Sequence, residues 1–234
     1  MWFDGLGDGE AMVVVAEFLV SKGAIPNGVA HCLQGDGRGG RFSGVRDGVR
    51  TEEAFNSLED LHSLLASREL VPVSLEFSGV TGVPTTTAVE LTFERTSEPS
   101  SHHPLVLVFD DEMVWGLPNG SNQPLSGGEG IVDLLAALAD QTPLSYGAVF
   151  NEYSMRAPQE MTERDVAYIR NFFVSDDYVG SAVTKRVADK SNGASRRLNR
   201  GVLIVSTEQL GGLGVDVSES ARFFFESLRN RYCR

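Results

Sequence analysis

Between Leu70 and Glu94 the chain alternates apolar and polar residues twice over, and this limits the fold more than any other feature. Val71, Val73, Leu75 and Phe77 interleave with Pro72, Ser74, Glu76 and Ser78; Val89, Leu91 and Phe93 then interleave with Glu90, Thr92 and Glu94. Period-two alternation places one set on a buried face and the other on a wet one. A third run, Leu105 to Phe109, leads through Asp110, Asp111 and Glu112 to Met113–Leu117. Short connections between such strands predict an antiparallel meander over about 70–117.

A sheet with one apolar face needs a cover, and helical periodicity lies on either side of it. Glu10 to Lys22 reads as a well-buried helix ending at Gly23. Thr51 to Ser67 reads as a second, with Phe55, Leu58, Leu61 and Leu65 on one stripe. Thr51 followed by Glu52 and Glu53 is the favoured start, ahead of an inner one at Ser57 and Asp60. Ile131, Leu134, Leu135 and Leu138 predict a third helix behind a Ser126–Glu129 capping box. Thr162 and Asp165 open a further helical pattern through Val166, Ile169, Phe172 and Phe173. Ser181 to Ala188 forms a short helix, Lys190 to Arg200 an exposed basic connection, and Ala221 to Leu228 the core of a last helix. Strands near 146–153 and 201–206 extend the sheet. Strands grouped early with helices at the flanks predict the α+β class. No segment repeats. The expectation is a single domain over 1–234, and the Gly, Asn, Ser and Pro stretch 119–128 is where a boundary would fall if the chain divided.

The bulk numbers exclude several classes. With 234 residues, 41% of them hydrophobic, the chain can bury a sizeable core. The apolar run from Met12 to Val20 is interrupted by Glu17, so no membrane span is expected. The opening residues are acidic and lack the basic stretch of a secretory signal. Cys32 and Cys233 are the only cysteines, read as reduced thiols in a cytoplasmic protein. A net charge of −12 argues against nucleic acid as a partner. Residues 104–180 hold 3 basic and 12 acidic side chains, a balance of −9, whereas residues 181–234 hold 10 and 5, a balance of +5.

Sites of chemistry are sparse. Gly35-Asp36-Gly37-Arg38-Gly39-Gly40 matches a dinucleotide-binding loop in spacing, but no helical period follows it and Asp36 repels phosphate. His31 and Cys32 adjoin one another, and neighbours on a strand point to opposite faces. His102-His103 in a Ser/Pro-rich turn lacks metal-ligand spacing and reads as solvated. No cofactor or metal is expected. Asp110-Asp111-Glu112 and Asp176-Asp177 are the paired-carboxylate candidates, but turn aspartates serve their own backbone well enough. The candidate contact residues are Asp110, Asp111, Glu112 and Trp115, with Asp176, Asp177 and Tyr178, acids beside aromatics on loops.

Three stretches resemble proteins of bacterial toxin–immunity loci and other uncharacterised bacterial proteins: Leu144–Ser154, Arg170–Ser175 and Arg200–Ser206. The resemblance implies a cytoplasmic, non-enzymatic inhibitor that blocks a toxin domain by masking its site. The resulting expectation is an acidic protein that docks a basic protein partner. An enzyme or small-molecule binder with a pocket around His31, His102 or Tyr153 is the alternative, and a subunit of a larger assembly a further one.

Overall fold

The computed structural model describes residues 1–34, 49–66, 70–79, 89–93, 103–108, 127–150, 156–206 and 216–232. It has the expected α+β architecture, and among the described residues nine strands form two antiparallel sheets. The chain divides into two compact units, residues 5–113 and residues 1–4 with 114–234.

The first unit holds a five-stranded sheet made of β1 (Ile25–Gln34), β2 (Arg50–Ala54), β3 (Leu70–Ser78), β4 (Val89–Phe93) and β5 (Leu105–Val108), in the order β2-β1-β3-β4-β5. Register partners share a face, so the apolar side reads directly from the pairs Ala30–Leu75, Leu75–Leu91, Phe77–Val89 and Phe93–Leu105. Helix α1 (Asp8–Ser21) packs on β1, β3 and β5, and α2 (Leu58–Ala66) on β3 and α1. Met12, Val15, Leu19, Leu61 and Leu65 are buried there. Each is worth about 1.5–3 kcal/mol of apolar burial.

One helix start differs from expectation. Thr51, Glu52, Glu53 and Ala54 are strand, paired with Cys32, His31, Ala30 and Val29. The helix begins at the inner site: Ser57 Oγ accepts from Asp60 N at 3.0 Å, and Asp60 Oδ2 accepts from Asn56 N at 3.1 Å. The local propensity of two glutamates behind a threonine yields to ladder hydrogen bonds with β1.

The second unit is built on a separate four-stranded sheet, so the later strands do not prolong the first sheet. Its strands are β6 (Tyr146–Phe150), β7 (Ile169–Ser175), β8 (Ser195–Leu198) and β9 (Gly201–Val205), in the order β6-β7-β9-β8. Its helices are α3 (Gly127–Gln141), α4 (Glu163–Val166), α5 (Asp176–Val179), α6 (Ser181–Asp189) and α7 (Ser218–Tyr232). The helical pattern expected after Thr162 stops after one turn. Asp165 Oδ2 accepts from Thr162 N at 2.6 Å and from Thr162 Oγ1 at 2.8 Å, capping α4. Ile169, Phe172, Phe173 and Val174, all buried, then run as an inner strand between β6 and β9. A strand buried on both faces is continuously apolar, and that run imitates a helical stripe. Ser195–Leu198, expected as a connection, is the edge strand β8, anchored by buried Leu198. Residues 1–4 belong to this unit: Trp2 N donates to Tyr146 O at 2.6 Å, and Ser145 N to Trp2 O at 3.0 Å.

Candidate functional site

Of the expected contact residues, Asp110, Asp111, Glu112 and Trp115 lie outside the described residues. Asp176, Asp177 and Tyr178 form the single turn of α5, opened by Ser175, whose Oγ accepts from Tyr178 N at 3.1 Å. Tyr178 points into the core and is 3% exposed. Asp176 accepts from the guanidinium of Arg197 through both carboxylate oxygens and from Thr184 Oγ1. The Arg197 hydrogen bonds, helped by Thr184, hold its carboxyl below the usual carboxylate range against the opposing effect of desolvation. Asp177 pairs with Arg200 at 3.0 Å, and Arg200 also donates to Thr142 O. Asp133 pairs with Arg196 at 3.4 Å, and Asp140 Oδ1 accepts from Asn199 N at 3.0 Å. Asp133, Asp140, Asp176 and Asp177 therefore hold the hairpin β8–β9, three of them by ion pairs with its arginines.

This pairing redraws the charge map. Residues 1–4 with 114–234 hold 13 basic and 15 acidic side chains, a balance of −2. Residues 5–113 hold 7 and 17, a balance of −10. Nearly all the surplus sits in the unit with the five-stranded sheet.

On that sheet, the face opposite the helices is read from two rows of register partners. One runs Glu52–His31–Ser74–Thr92–Val106, the other Glu76–Glu90–Val108. Glu76 and Glu90 are directly opposed like charges, an arrangement that is unfavourable on its own. Among the described residues no Lys or Arg is paired with either. An irregularity in β1 between Pro26 and Ala30, with Gly28 at φ +81°, accompanies the placement of Asn27, whose Nδ2 donates to Glu76 Oε2 at 3.2 Å. Ser74 is 1% exposed, and its Oγ and the Nδ1 of His31 are both buried without a hydrogen-bond partner. His31 Nδ1 lies 3.8 Å from Glu52 Oε1, beyond hydrogen-bond reach. Val108 is 44% exposed at the edge of the same face. The acceptors this face presents at its surface include the half-buried carboxylates of Glu76 and Glu90, with Val108 opposite Glu90.

His103, expected to be solvated beside His102, is instead a clasp. Its side chain is 9% exposed and that of Asp8 12%. Asp8 Oδ1 accepts from His103 N at 2.8 Å, and Nδ1 of the ring lies 2.7 Å from Oδ2. A carboxylate only accepts, so Nδ1 carries the proton of that bond. Cys32 is buried beside His31 on β1 and projects to the other face, since the two pair with consecutive residues of β2. His102, Tyr153 and Cys233 lie outside the described residues, as do the glycines at 35–40. Among the described residues no three His, Cys, Asp or Glu side chains gather as metal ligands, and no helix is long and apolar enough to cross a membrane.

Sequence reasoning missed Glu76, Glu90 and Ser74 because their meeting depends on register. The alternation marked each as outward-facing, but the length of 80–88 does not say which glutamate faces which. Set against known proteins, the chain matches no family model, no curated protein and no solved structure.

Proposed function

We propose that the chain is a non-enzymatic acidic binding protein that masks a basic protein partner, in the manner of an immunity-type inhibitor covering an effector or toxin domain. One observation carries this reading: the −10 balance of residues 5–113 beside the −2 balance of the rest. An uncompensated acidic surface speeds encounter with a basic partner and disfavours acidic ones. Asp176 and Asp177, already held by Arg197 and Arg200, act as braces of their own unit, so the contact falls on the five-stranded sheet. The cytoplasm is the compartment in which such an inhibitor would meet its target.

The test is retention from a native lysate on the immobilised chain, followed by elution in about 0.5 M salt, where charge attraction is screened beyond a few ångströms. A basic protein that is retained at low salt and released by high salt, and whose association slows when Glu52, Glu76 and Glu90 become lysine, is the expected result. Retention of no basic protein overturns the reading. A second reading, an enzyme, is favoured by the Asp8–His103 pair alone: a carboxylate that orients an imidazole through Nδ1 leaves Nε2 for proton transfer. That reading requires a nucleophile or a substrate carbonyl within reach of Nε2.

A further inference from the structure

We infer that β2, an edge of the five-stranded sheet, takes up an extended basic segment of the partner as an added strand, an inference that rests on the acidic-binder reading above. β2 is outermost in the strand order and, among the described residues, pairs with β1 alone. Its ladder is fixed at both ends: Gln34 N donates to Val49 O at 3.2 Å, and Phe55 N to Gly28 O at 2.9 Å. The register between them runs without a shift. Hydrogen-bonded and non-bonded pairs alternate along an antiparallel ladder, so Thr51 and Glu53 turn their N–H and C=O groups toward β1. Arg50, Glu52 and Ala54 turn theirs off the edge of the sheet, and all three residues are exposed. Among the described residues no backbone group pairs with them there.

Outward N–H and C=O groups make an edge adhesive, and natural sheets blunt such edges with lysine, proline or a bulge. β2 has none of these: its sequence is Arg-Thr-Glu-Glu-Ala, and its register against β1 is regular. Charge guards it instead, and that guard is selective. Glu52 projects to the face away from the helices, in the row of His31 and Ser74, with its side chain 72% exposed. Glu53 shares a row with Ala30 and projects to the helix face, where it is half-buried. A strand added to β2 sets one residue opposite each glutamate, where like charges are unfavourable and opposite charges attract. A second copy of this chain laid antiparallel about the middle of β2 sets Glu52 against itself, in a unit that already carries −10. A segment with two consecutive basic residues is instead matched on both faces at once. Arg50, two before Glu52 on the same face, disfavours a base opposite itself and so aligns the basic pair with the later half of β2. The opposite edge of the sheet, β5, is the apolar run Leu105–Val108, with no charge by which to choose a basic chain. Recognition is by strand addition, in which main-chain bonds give affinity and alternate side chains give specificity.

Hydrogen exchange reads the alternation directly. In the full chain alone, the amides of Arg50, Glu52 and Ala54 exchange freely while those of Thr51 and Glu53 are protected. The peptide Thr-Val-Lys-Lys-Val-Thr, at about ten times its Kd, slows the first three by about tenfold. The same peptide with glutamates in place of its lysines leaves them unchanged. Ala54→Pro removes an outward donor and leaves the β1 ladder whole, and it weakens the peptide by roughly tenfold. Should that variant fail to fold, the lysine peptide N-methylated at both lysines tests the same bonds against the unaltered chain. It keeps the charge, loses a donor on each of its edges, and binds at least about tenfold more weakly. Exchange that is not slowed at the three edge amides, equal slowing by the glutamate peptide, or undiminished binding of the methylated one overturns the edge site while leaving the acidic-binder reading intact. The failure of the wider reading appears separately, as a lysate from which no basic protein is retained.

Discussion

Asp176 and Arg197 meet through both oxygens of the carboxylate and two nitrogens of the guanidinium, joining the first turn of α5 to the edge strand β8. Because Arg197 holds the Asp176 carboxyl below its ordinary range, the bond is also a statement about pH. A carboxyl with a depressed folded pKa stabilises the fold above its unfolded value of about 3.9, and that stabilisation is lost as pH falls through the folded value. Arg197 is 57% exposed, so screening keeps the contribution to about 1 kcal/mol. Asp176→Asn is expected to cost that much at neutral pH and to converge with the wild type once pH has fallen below the lowered folded value. Urea unfolding of both proteins across the acid range measures it, and a gap that persists in acid contradicts the assignment.

Gly201 begins β9 where the backbone of β7 passes closest. A Cβ there would sit 2.1 Å from Val174 O and 2.8 Å from Ser175 Cα. A backbone oxygen inside a sheet cannot rotate away, so Gly201→Ala is expected to part β9 from β7. The cost should reach about 3 kcal/mol or more, beyond ordinary overpacking. A thermal scan that finds the alanine variant within a degree or two of the wild type would show that the two strands have room to separate.

How much of this was legible in the sequence depends on the range over which each feature is determined. Val71 to Phe77 and Val89 to Phe93 announced their strands because period two is a local property, set by alternate side chains alone. The start of α2 was misplaced because Thr51-Glu52-Glu53 has a good helical opening locally, and only β1, some twenty residues earlier, turns it into strand. Phe172 and Phe173 looked helical because a strand covered on both sides loses its alternation. The candidate site was less readable still. Asp176 and Asp177 stood out as acids, but the arginines that match them arrive from β8 and the turn into β9. The charge of a segment says little about the charge of a surface until its partners are known. The strands β6, β7 and β9 that run through 144–154, 170–175 and 200–206 are neighbours in one sheet, so those stretches mark core strand rather than contact surface.

Tyr146 belongs to the aromatic cluster of its unit, which centres on Phe224. Its ring stacks on Phe224 with centroids 5.2 Å apart and meets Phe225 edge-on at 5.7 Å. The ring is wholly buried and its hydroxyl has no protein hydrogen-bond partner. Burial, with Tyr178 nearby, pushes the phenol well above its usual range, so it stays neutral. Tyr146→Phe removes an unmatched polar atom while keeping the ring contacts, and is expected to stabilise the fold by up to about 1 kcal/mol. Tyr146→Ala removes the ring as well and should cost about 3–5 kcal/mol. A phenylalanine variant that is clearly less stable than the wild type in urea would mean that the hydroxyl is satisfied in solution.

Asp8 and His103 connect the first turn of α1 to the residues that lead into β5, across 95 positions of sequence. The carboxylate accepts from the backbone and the ring of the same residue, so cutting Asp8 orphans both donors, whereas cutting His103 removes the ring's alone. His103→Ala leaves a nearly buried carboxylate short of one donor, and Asp8→Ala leaves a buried ring nitrogen and a backbone N–H without their acceptor. Each is expected to cost about 1–3 kcal/mol, the range for a buried group deprived of its partner. Because both variants break one contact, the double variant should cost little more than the worse single one, with a coupling of at least about 1 kcal/mol. A double-mutant cycle in urea reads this directly. Additive costs would show that the two residues stabilise the fold independently, and that the clasp between α1 and β5 carries no energy of its own.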